Sequence, residues 1–562
     1  MQLSEPTATT LPRTDSAEDS TPAREPLRRR AVATVRRVPL LVWTITALHL
    51  TILLGYSVLL PTYRAPDEPQ HADLAHEMSE EWDYPAWDER NLAPGVQQSL
   101  NEVFFHIPRS SAHLTSDEAP PKGERPSIED LDTPPRPTGI NQNSQHPPLY
   151  YLVAGNTERA VETVTGGDLP FDLEVWIYRL VSIALVAPLP LVIWRIAQLL
   201  NLPRAVGIAA ALVPLTIPQF THIGSAVNND SLLMLGFWLS TPVILRIAKG
   251  ALNPRTAMLA GALTGMTALT KGFAVVLPLW IGGALLIALR RGGRDSLRPA
   301  VNTGAIYAVT AFVTGGWWWL RNLVLYGNLA PSRFSELLPP AEEIKVDLDE
   351  FVRTWAYRTT RRFWGDFGWF DTAIPAPVFG VATVVVLAAI ALALLRRDRV
   401  GSTLSGDRFI LAAPLLMLVA LQMGNAFRAY STTGRLPGLQ GRYWFGALAG
   451  VAVVVALGLA NLMRGSLQRL PLLMLAAVLV MQGFGVTTLL GHYWGAPHSA
   501  LSERVRAVVA WSPLPGEMIG AGLVVAGLVV LAAVAQAIAL AIRGTDEQLV
   551  AADDKMAGLR PR

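Results

Sequence analysis

The stretch VPLLVWTITALHLTILLGYSVLL, residues 38–60, carries no charged side chain and is long enough to cross the roughly 30 Å hydrocarbon core of a bilayer as one helix. It follows a basic run, Arg28, Arg29, Arg30, Arg36 and Arg37, which marks the cytoplasmic flank of a membrane helix. The stretch is too long for the apolar part of a signal peptide and lacks a small-residue cleavage site, so it reads as a retained anchor. Before it, residues 1–25 are rich in Thr, Ser, Pro and acids and have no apolar period, the composition of a disordered tail.

Working outward, further apolar segments fall near 174–200, 205–222, 231–248, 256–270, 273–289, 300–320, 375–395, 409–424, 443–462, 471–490 and 516–542, predicting about twelve spans with both ends in the cytoplasm. The basic residues agree. Arg195 and Arg204, then Arg246, Lys249 and Arg255, then Arg290, Arg291, Arg294 and Arg298 fall in alternate loops, followed by Arg396, Arg397, Arg399 and Arg408, then Arg464 and Arg469, then Arg543. The expected organisation is a basic cytoplasmic tail at 1–37, an all-α polytopic bundle at 38–542 and a second cytoplasmic tail at 543–562.

Composition supports the same class. Of 562 residues 51% are hydrophobic and 16% charged, and the mean hydropathy is positive, too apolar for an ordinary soluble surface. A net charge of +3 is too weak to imply a nucleic-acid partner. The absence of cysteine excludes disulfides, thiolate zinc sites and cysteine nucleophiles.

Two predicted outer loops are long, 61–173 and 326–374, and loops of that size are commonly functional or disordered. In the first, the run 70–82 reads as a helix lying on the membrane surface, and 110–141 is Pro-rich, acidic and irregular. The polar clusters all fall at the outer boundary. They are Asp67-Glu68-Pro69-Gln70-His71, His146, Arg179, Asn228-Asn229-Asp230, Lys271, Trp317-Trp318-Trp319-Leu320-Arg321-Asn322, Phe363-Trp364-Gly365-Asp366-Phe367-Gly368-Trp369, and Arg435 to Arg442.

Outer Arg and Lys depart from the positive-inside pattern, so Lys271, Arg321, Arg435 and Arg442 call for a reason. An anionic head group supplies one, because a phosphate at the membrane surface is bound well by fixed cations and by the guanidinium fork. Outside the cytoplasm a transferase has no nucleotide sugars, so its sugar would come from a polyprenyl phosphate. A carboxylate at Asp67 or Glu68 would accept the proton of an attacking hydroxyl while cations stabilise the departing phosphate.

The strings Pro66-Asp67-Glu68-Pro69-Gln70-His71, His146-Pro147-Pro148-Leu149-Tyr150-Tyr151, Asn228-Asn229-Asp230-Ser231-Leu232, Leu269-Thr270-Lys271-Gly272, 318–328, 363–369 and Gln440-Gly441-Arg442-Tyr443 together resemble a bacterial polytopic family of predicted membrane proteins, DUF2142-like. That family is similar to the GT-C glycosyltransferases, which include protein O-mannosyltransferases and lipid A aminoarabinose transferases. The resemblance implies a GT-C-like bundle, a polyprenyl-phosphate-linked sugar as donor, an active site facing away from the cytoplasm, and an acidic pair in the first outer loop as catalytic base. By position that pair is Asp67-Glu68. The Pro-rich acidic insert of the first loop has no counterpart in the better-known transferases.

The expected reading is therefore a glycosyltransferase of the cell membrane that moves one sugar, with inversion, from a polyprenyl phosphate to an envelope glycan, lipid or protein. Asp67 and Glu68 are the catalytic candidates. Lys271, Arg321, Arg442 and Arg179 are the donor-phosphate candidates, and His71, His146, Asn229, Asp230, Trp364 and Asp366 those for substrate. A divalent cation, Mg or Mn, would draw on Asp67, His71 and His146. Ordinary alternatives stand beside these: acids capping a helix for about 0.3–1 kcal/mol, Arg179 snorkelling, Lys271 as a topological stop, Asn228 to Asp230 as a turn, and Trp317 to Trp319 as interfacial belt. At the level of the whole chain the alternatives are a lipid-linked glycan ligase or polymerase, and a secondary transporter or flippase. A transporter would place its polar residues at the midplane.

Overall fold

The computed structural model describes residues 38–81, 84–105, 113–118, 121–131, 139–333, 339–341, 344–395, 405–463 and 466–557. The tail at 1–37, Arg396, Arg397, Arg399, Arg464 and, within 110–141, residues 110–112, 119–120 and 132–138 lie outside the described residues. From the anchor the chain forms α1 (Leu40–Leu59), α2 (Glu68–Glu80), α3 (Pro94–Glu102), α4 (Leu149–Thr165), α5 (Phe171–Val186), α6 (Leu189–Leu199), α7 (Arg204–Leu212), α8 (Pro218–Gly224), α9 (Asp230–Ala248) and α10 (Pro254–Ala268). It continues with α11 (Val276–Gly292), α12 (Leu297–Ala311), α13 (Trp317–Tyr326), α14 (Leu348–Trp364), α15 (Ala376–Leu395), α16 (Ser405–Thr433), α17 (Leu448–Leu462), α18 (Leu470–Tyr493), α19 (Leu501–Trp511) and α20 (Gly516–Ala557). Between α14 and α15 a small antiparallel hairpin pairs β1 (Asp366–Phe367) with β2 (Thr372–Ala373).

Among the described residues nine helical runs are long and apolar enough to cross a membrane, or ten if the bent pair 204–224 is one span. Twelve, the number expected from hydropathy, is not reached, and particular elements show why. The segment near 256–270 is α10, whose 15 residues rise about 22 Å at 1.5 Å each, short of the hydrocarbon core. The segment near 205–222 is broken at Pro218, where the chain bends by 73° because proline cannot continue the preceding helix. The segments near 273–289 and 300–320 fall in one helical run, Gly272–Tyr326, interrupted at Gly293 and by a π turn at Phe312–Gly316.

Burial orders the bundle. The Gly441–Leu462 span is 89% buried and Asp230–Ala248 78%, whereas Ala376–Leu395 is 17% and Gly516–Arg543 only 11%. The first two therefore form the centre and the last two the lipid-facing rim of a multi-pass membrane protein. Glycines bring helices together closely: a Cβ on Gly265 would meet Thr314 and the carbonyl of Ala311, and one on Gly315 would meet the Gly265 carbonyl. This contact seats the π turn against α10, and such a turn adds a residue that rotates everything after it.

The helix expected to lie on the membrane surface is instead enclosed. α2 buries His71, Ala72, Asp73, Leu74, Ala75, His76, Met78 and Ser79, and packs on α4 so tightly that a Cβ on Gly155 would fall 2.3 Å from the Ala75 carbonyl oxygen. Its acids escape the usual cost of burial by pairing. Asp73 is held by Arg90 and by the Ala93 amide, and Glu68 by Arg179.

Candidate active site

The site begins where α1 ends. Residues 60–66 turn the chain over the end of the bundle and deliver Asp67 to the position before α2, with φ 61° and ψ 14°. A left-handed conformation is costly for a residue with a Cβ, least so for Asp and Asn, and such strain persists only where the surroundings enforce it.

The enforcing structure is the neighbouring residue. Glu68 is fully buried and receives Arg179 through both carboxylate oxygens, each at 2.8 Å, together with the Val227 amide at 3.1 Å. The other Arg179 hydrogens go to the carbonyls of Ser57, Leu60 and Pro61. All five guanidinium donors are thus used inside the protein. Arg179 and Glu68, expected as phosphate ligand and catalytic acid, form a buried brace with no donor left for a ligand. The Val227 bond ties the same brace to the Asn228-Asn229-Asp230 turn.

Two carboxylates and two cations meet beside it. Arg442 donates from Nη2 to Asp67 Oδ2 at 2.8 Å, and its Nε lies 3.3 Å from Asp230 Oδ2. Lys271 donates to Asp230 Oδ1 at 2.6 Å and to Asn229 Oδ1 at 3.2 Å. The Tyr443 ring lies under both cations, 5.4 Å from Lys271 Nζ and 5.7 Å from Arg442 Cζ. Asp230 is shut in at 2% side-chain exposure, whereas Asp67 keeps 23%, so Asp67 is the carboxylate that an incoming group can reach. Burial pushes the Lys271 ammonium down; Asp230 opposes that and Arg442 adds to it.

Both histidines stay neutral here. Burial, with Lys271 and Arg442 close by, pushes His146 down to about 3 against the pull of Asp230. Burial, Lys271, Arg442 and His146 hold His71 well below the usual range. His71 Nδ1 is bonded to Tyr151 Oη at 2.9 Å and stacks on that ring. Tyr151 stacks on Tyr84, and Tyr84 meets the edge of Trp318. The stack ends at Arg321, whose guanidinium sits 4.9 Å from the Trp318 ring and 5.7 Å from Tyr326, with no carboxylate partner among the described residues.

As a metal ligand set, Asp67, His71 and His146 do not come together. Asp67 faces Arg442, His71 faces Tyr151, and among the described residues no three His, Asp or Glu side chains are arranged to hold an ion. Trp364 and Asp366 are bonded elsewhere, Trp364 donating to Thr383 Oγ1 and Asp366 accepting from Arg361. Arg435 is exposed. The site residues that sequence reasoning left unassigned are Tyr151, Tyr443, Tyr84 and Gln142, the last donating to Asp67 Oδ1 at 3.4 Å. The first two sit inside the strings quoted above; nothing in the sequence marks Tyr84 or Gln142.

The fold has distant likenesses. The crystal structure of ArnT from Cupriavidus metallidurans bound to undecaprenyl phosphate is 14% identical, with 88% of this chain and 74% of that one covered at a TM-score of 0.46. The Archaeoglobus fulgidus oligosaccharyltransferase in the apo form is 10% identical, with 80% of this chain but only 56% of that one covered at 0.39. At TM-scores below one half these likenesses say nothing of activity. No curated protein matches in sequence. Over residues 50–451, well over half its length, the chain matches the family described as "Predicted membrane protein (DUF2142)", and it belongs to that family.

Proposed function

We propose that this protein is a membrane glycosyltransferase that moves a sugar from a polyprenyl phosphate to a cell-envelope acceptor. The observation that carries the reading is convergence. Strings scattered from 66 to 443, whose order resembles a family similar to GT-C transferases, meet through direct bonds at one end of the bundle: Arg442 to Asp67, Lys271 to Asp230, Asn229 to Tyr151, and the Leu149 amide to the Leu269 carbonyl.

In this reading Asp67 accepts the proton of the acceptor hydroxyl as that oxygen attacks the anomeric carbon. The bond from that carbon to the phosphate oxygen breaks with inversion, and the electron pair leaves with the phosphate. Lys271 and Arg442 receive the growing phosphate charge, because each carries more hydrogens than the bonds to Asn229, Asp230, Pro66 and Asp67 use. Since Asp67 and Asp230 already balance those two cations, the charge that the donor phosphate carries before reaction is met by Arg321. The end of the bundle holding the site would face away from the cytoplasm.

The test is transfer of labelled sugar in membranes supplied with a panel of polyprenyl-phosphate sugars, comparing wild type with Asp67→Asn, with and without chelator. Asp67-dependent transfer supports the reading and settles metal dependence. No transfer to native acceptor extracts from any donor overturns it.

A further inference from the structure

Beneath the charged cluster lies a second polar region that the proposed reaction does not use. The bent span supplies its wall. Gln219 and His222 on α8 are buried at 1% and 0% exposure, and α8 runs directly into the Val227 to Asp230 segment of the site. Two bonds fix the polarity of this wall. The Asp366 amide donates to Gln219 Oε1 at 2.7 Å, which orients the Gln219 amide; Gln219 Nε2 then donates to His222 Nδ1 at 3.3 Å. The imidazole hydrogen must therefore sit on Nε2, and that atom is buried without a partner among the described residues.

Tyr56 Oη is buried and unpartnered too, seated where a Cβ on Gly485 would fall 2.0 Å away. One apolar ring lies against both groups. Phe367, at the tip of β1 and fully buried, meets His222 edge-on with ring centres 5.5 Å apart and Tyr56 at 6.3 Å. Two buried donors without a partner cost more than the same donors bonded to an oxygen.

Phe367 is carried by a hairpin built to turn sharply at its tip. Gly368 and Phe370 both have positive φ, at 63° and 68°. The hairpin is latched by Tyr493 donating to Asp371 at 3.0 Å and by Trp369 donating to the Tyr63 carbonyl at 3.1 Å.

We propose that the recess formed by His222, Gln219 and Tyr56 is a binding site for a neutral, oxygen-bearing group such as a sugar hydroxyl or ring oxygen, and that Phe367 fills it until the hairpin lifts. The recess accepts an oxygen because its unmet groups are donors, and a neutral one because those donors, an imidazole N–H and a phenol, carry no charge themselves. It rests on the transferase reading only for naming that oxygen as a sugar's.

The chain has no cysteine, so one introduced thiol reports alone. Thr221→Cys, which places a buried thiol one residue before His222 and leaves the imidazole intact, is labelled in the purified full chain by a charged, water-borne thiol reagent. The same is done with Asp371→Asn added to loosen the latch, and with methyl glucoside in excess. Slow labelling that rises about tenfold when one latch bond is removed, and falls again with methyl glucoside, is the expected result. Equal rates in both backgrounds overturn the plug. A rise that methyl glucoside does not reverse overturns the ligand class. Neither readout needs sugar transfer, so the proposed reaction can fail while this site stands, or the reverse.

Discussion

Asp67 and Arg442 lie some 375 residues apart in sequence and 2.8 Å apart in space, and their bond leaves the Asp67 carboxylate the more open of two acids that share one guanidinium. Replacing Asp67 with Asn keeps the shape and removes the base. Transfer should fall by about 10²- to 10⁴-fold while the protein inserts and elutes normally, as rate assays and size-exclusion profiles will show.

The left-handed Asp67 separates activity from stability. Ala there should cost about 1 kcal/mol in backbone strain, Asn less, and Gly none, so thermal stability in detergent should rank Gly at or above Asn and both above Ala. Transfer should be lost in all three. An Ala variant as stable as the Gly variant would show that the conformation is unstrained.

The Glu68–Arg179 brace predicts a different pattern. Glu68→Gln leaves a buried guanidinium without its counter-charge and should destabilise by about 3–5 kcal/mol, read as a lower Tm. Exchanging both members for apolar residues, Glu68→Leu with Arg179→Met, should recover most of that loss.

Farther along α2 a second clamp responds to pH. His76 Nδ1 lies 3.2 Å from Glu174, and Tyr178 Oη lies 2.7 Å from Glu174 and 3.1 Å from Glu158. One hydroxyl hydrogen can serve both carboxylates only if one of them is protonated, and burial beside Glu174 pushes Glu158 up to about 8. Burial opposes the charge on His76, but Glu174, Glu129 and Glu158 outweigh it and lift the imidazole to about 9. Both groups bind protons more tightly folded than unfolded, from ordinary values of 6.5 for His76 and 4.5 for Glu158. The His76 contribution is thus complete below pH 6.5 and lost as pH rises through 9, with Glu158 adding to the loss up to 8. The free energy of unfolding should fall across that window by an amount on the order of 2 kcal/mol, read as a lower Tm, and the part above pH 8 should vanish in His76→Gln.

Arg321 should act on donor binding alone. Arg321→Gln removes the cation that lacks a carboxylate partner among the described residues, and KM for the lipid donor should rise about tenfold with kcat nearly unchanged. A matching fall in kcat would place Arg321 at the reacting centre instead.

The membrane class, the family and the strings that assemble the site were legible because each is a local property: uncharged length, or a short run of unusual residues. What was not legible depends on partners far away in sequence. Nothing near Glu68 or Arg179 shows that they face each other, and an Arg in a span reads equally as snorkelling, ligand or brace. α2 looked like a surface helix because its acids are charged, yet Asp73 and Glu68 are neutralised by Arg90 and Arg179 from other elements. The expected twelve spans are not confirmed at α8 and α10, where a proline break and a short helix resemble full crossings in an averaged hydropathy profile.

The π turn at Phe312–Gly316 makes the chain more tolerant of exchange than of resizing. Each helical residue advances the next by about 100°, so deleting one residue there would swing Trp318 and Arg321 a quarter to a third of the way around the helix, away from Tyr84 and into the lipid. Side-chain variation along this face leaves the guanidinium where it is. A length polymorphism of one residue would disconnect it while leaving every chemical group of the site in the sequence.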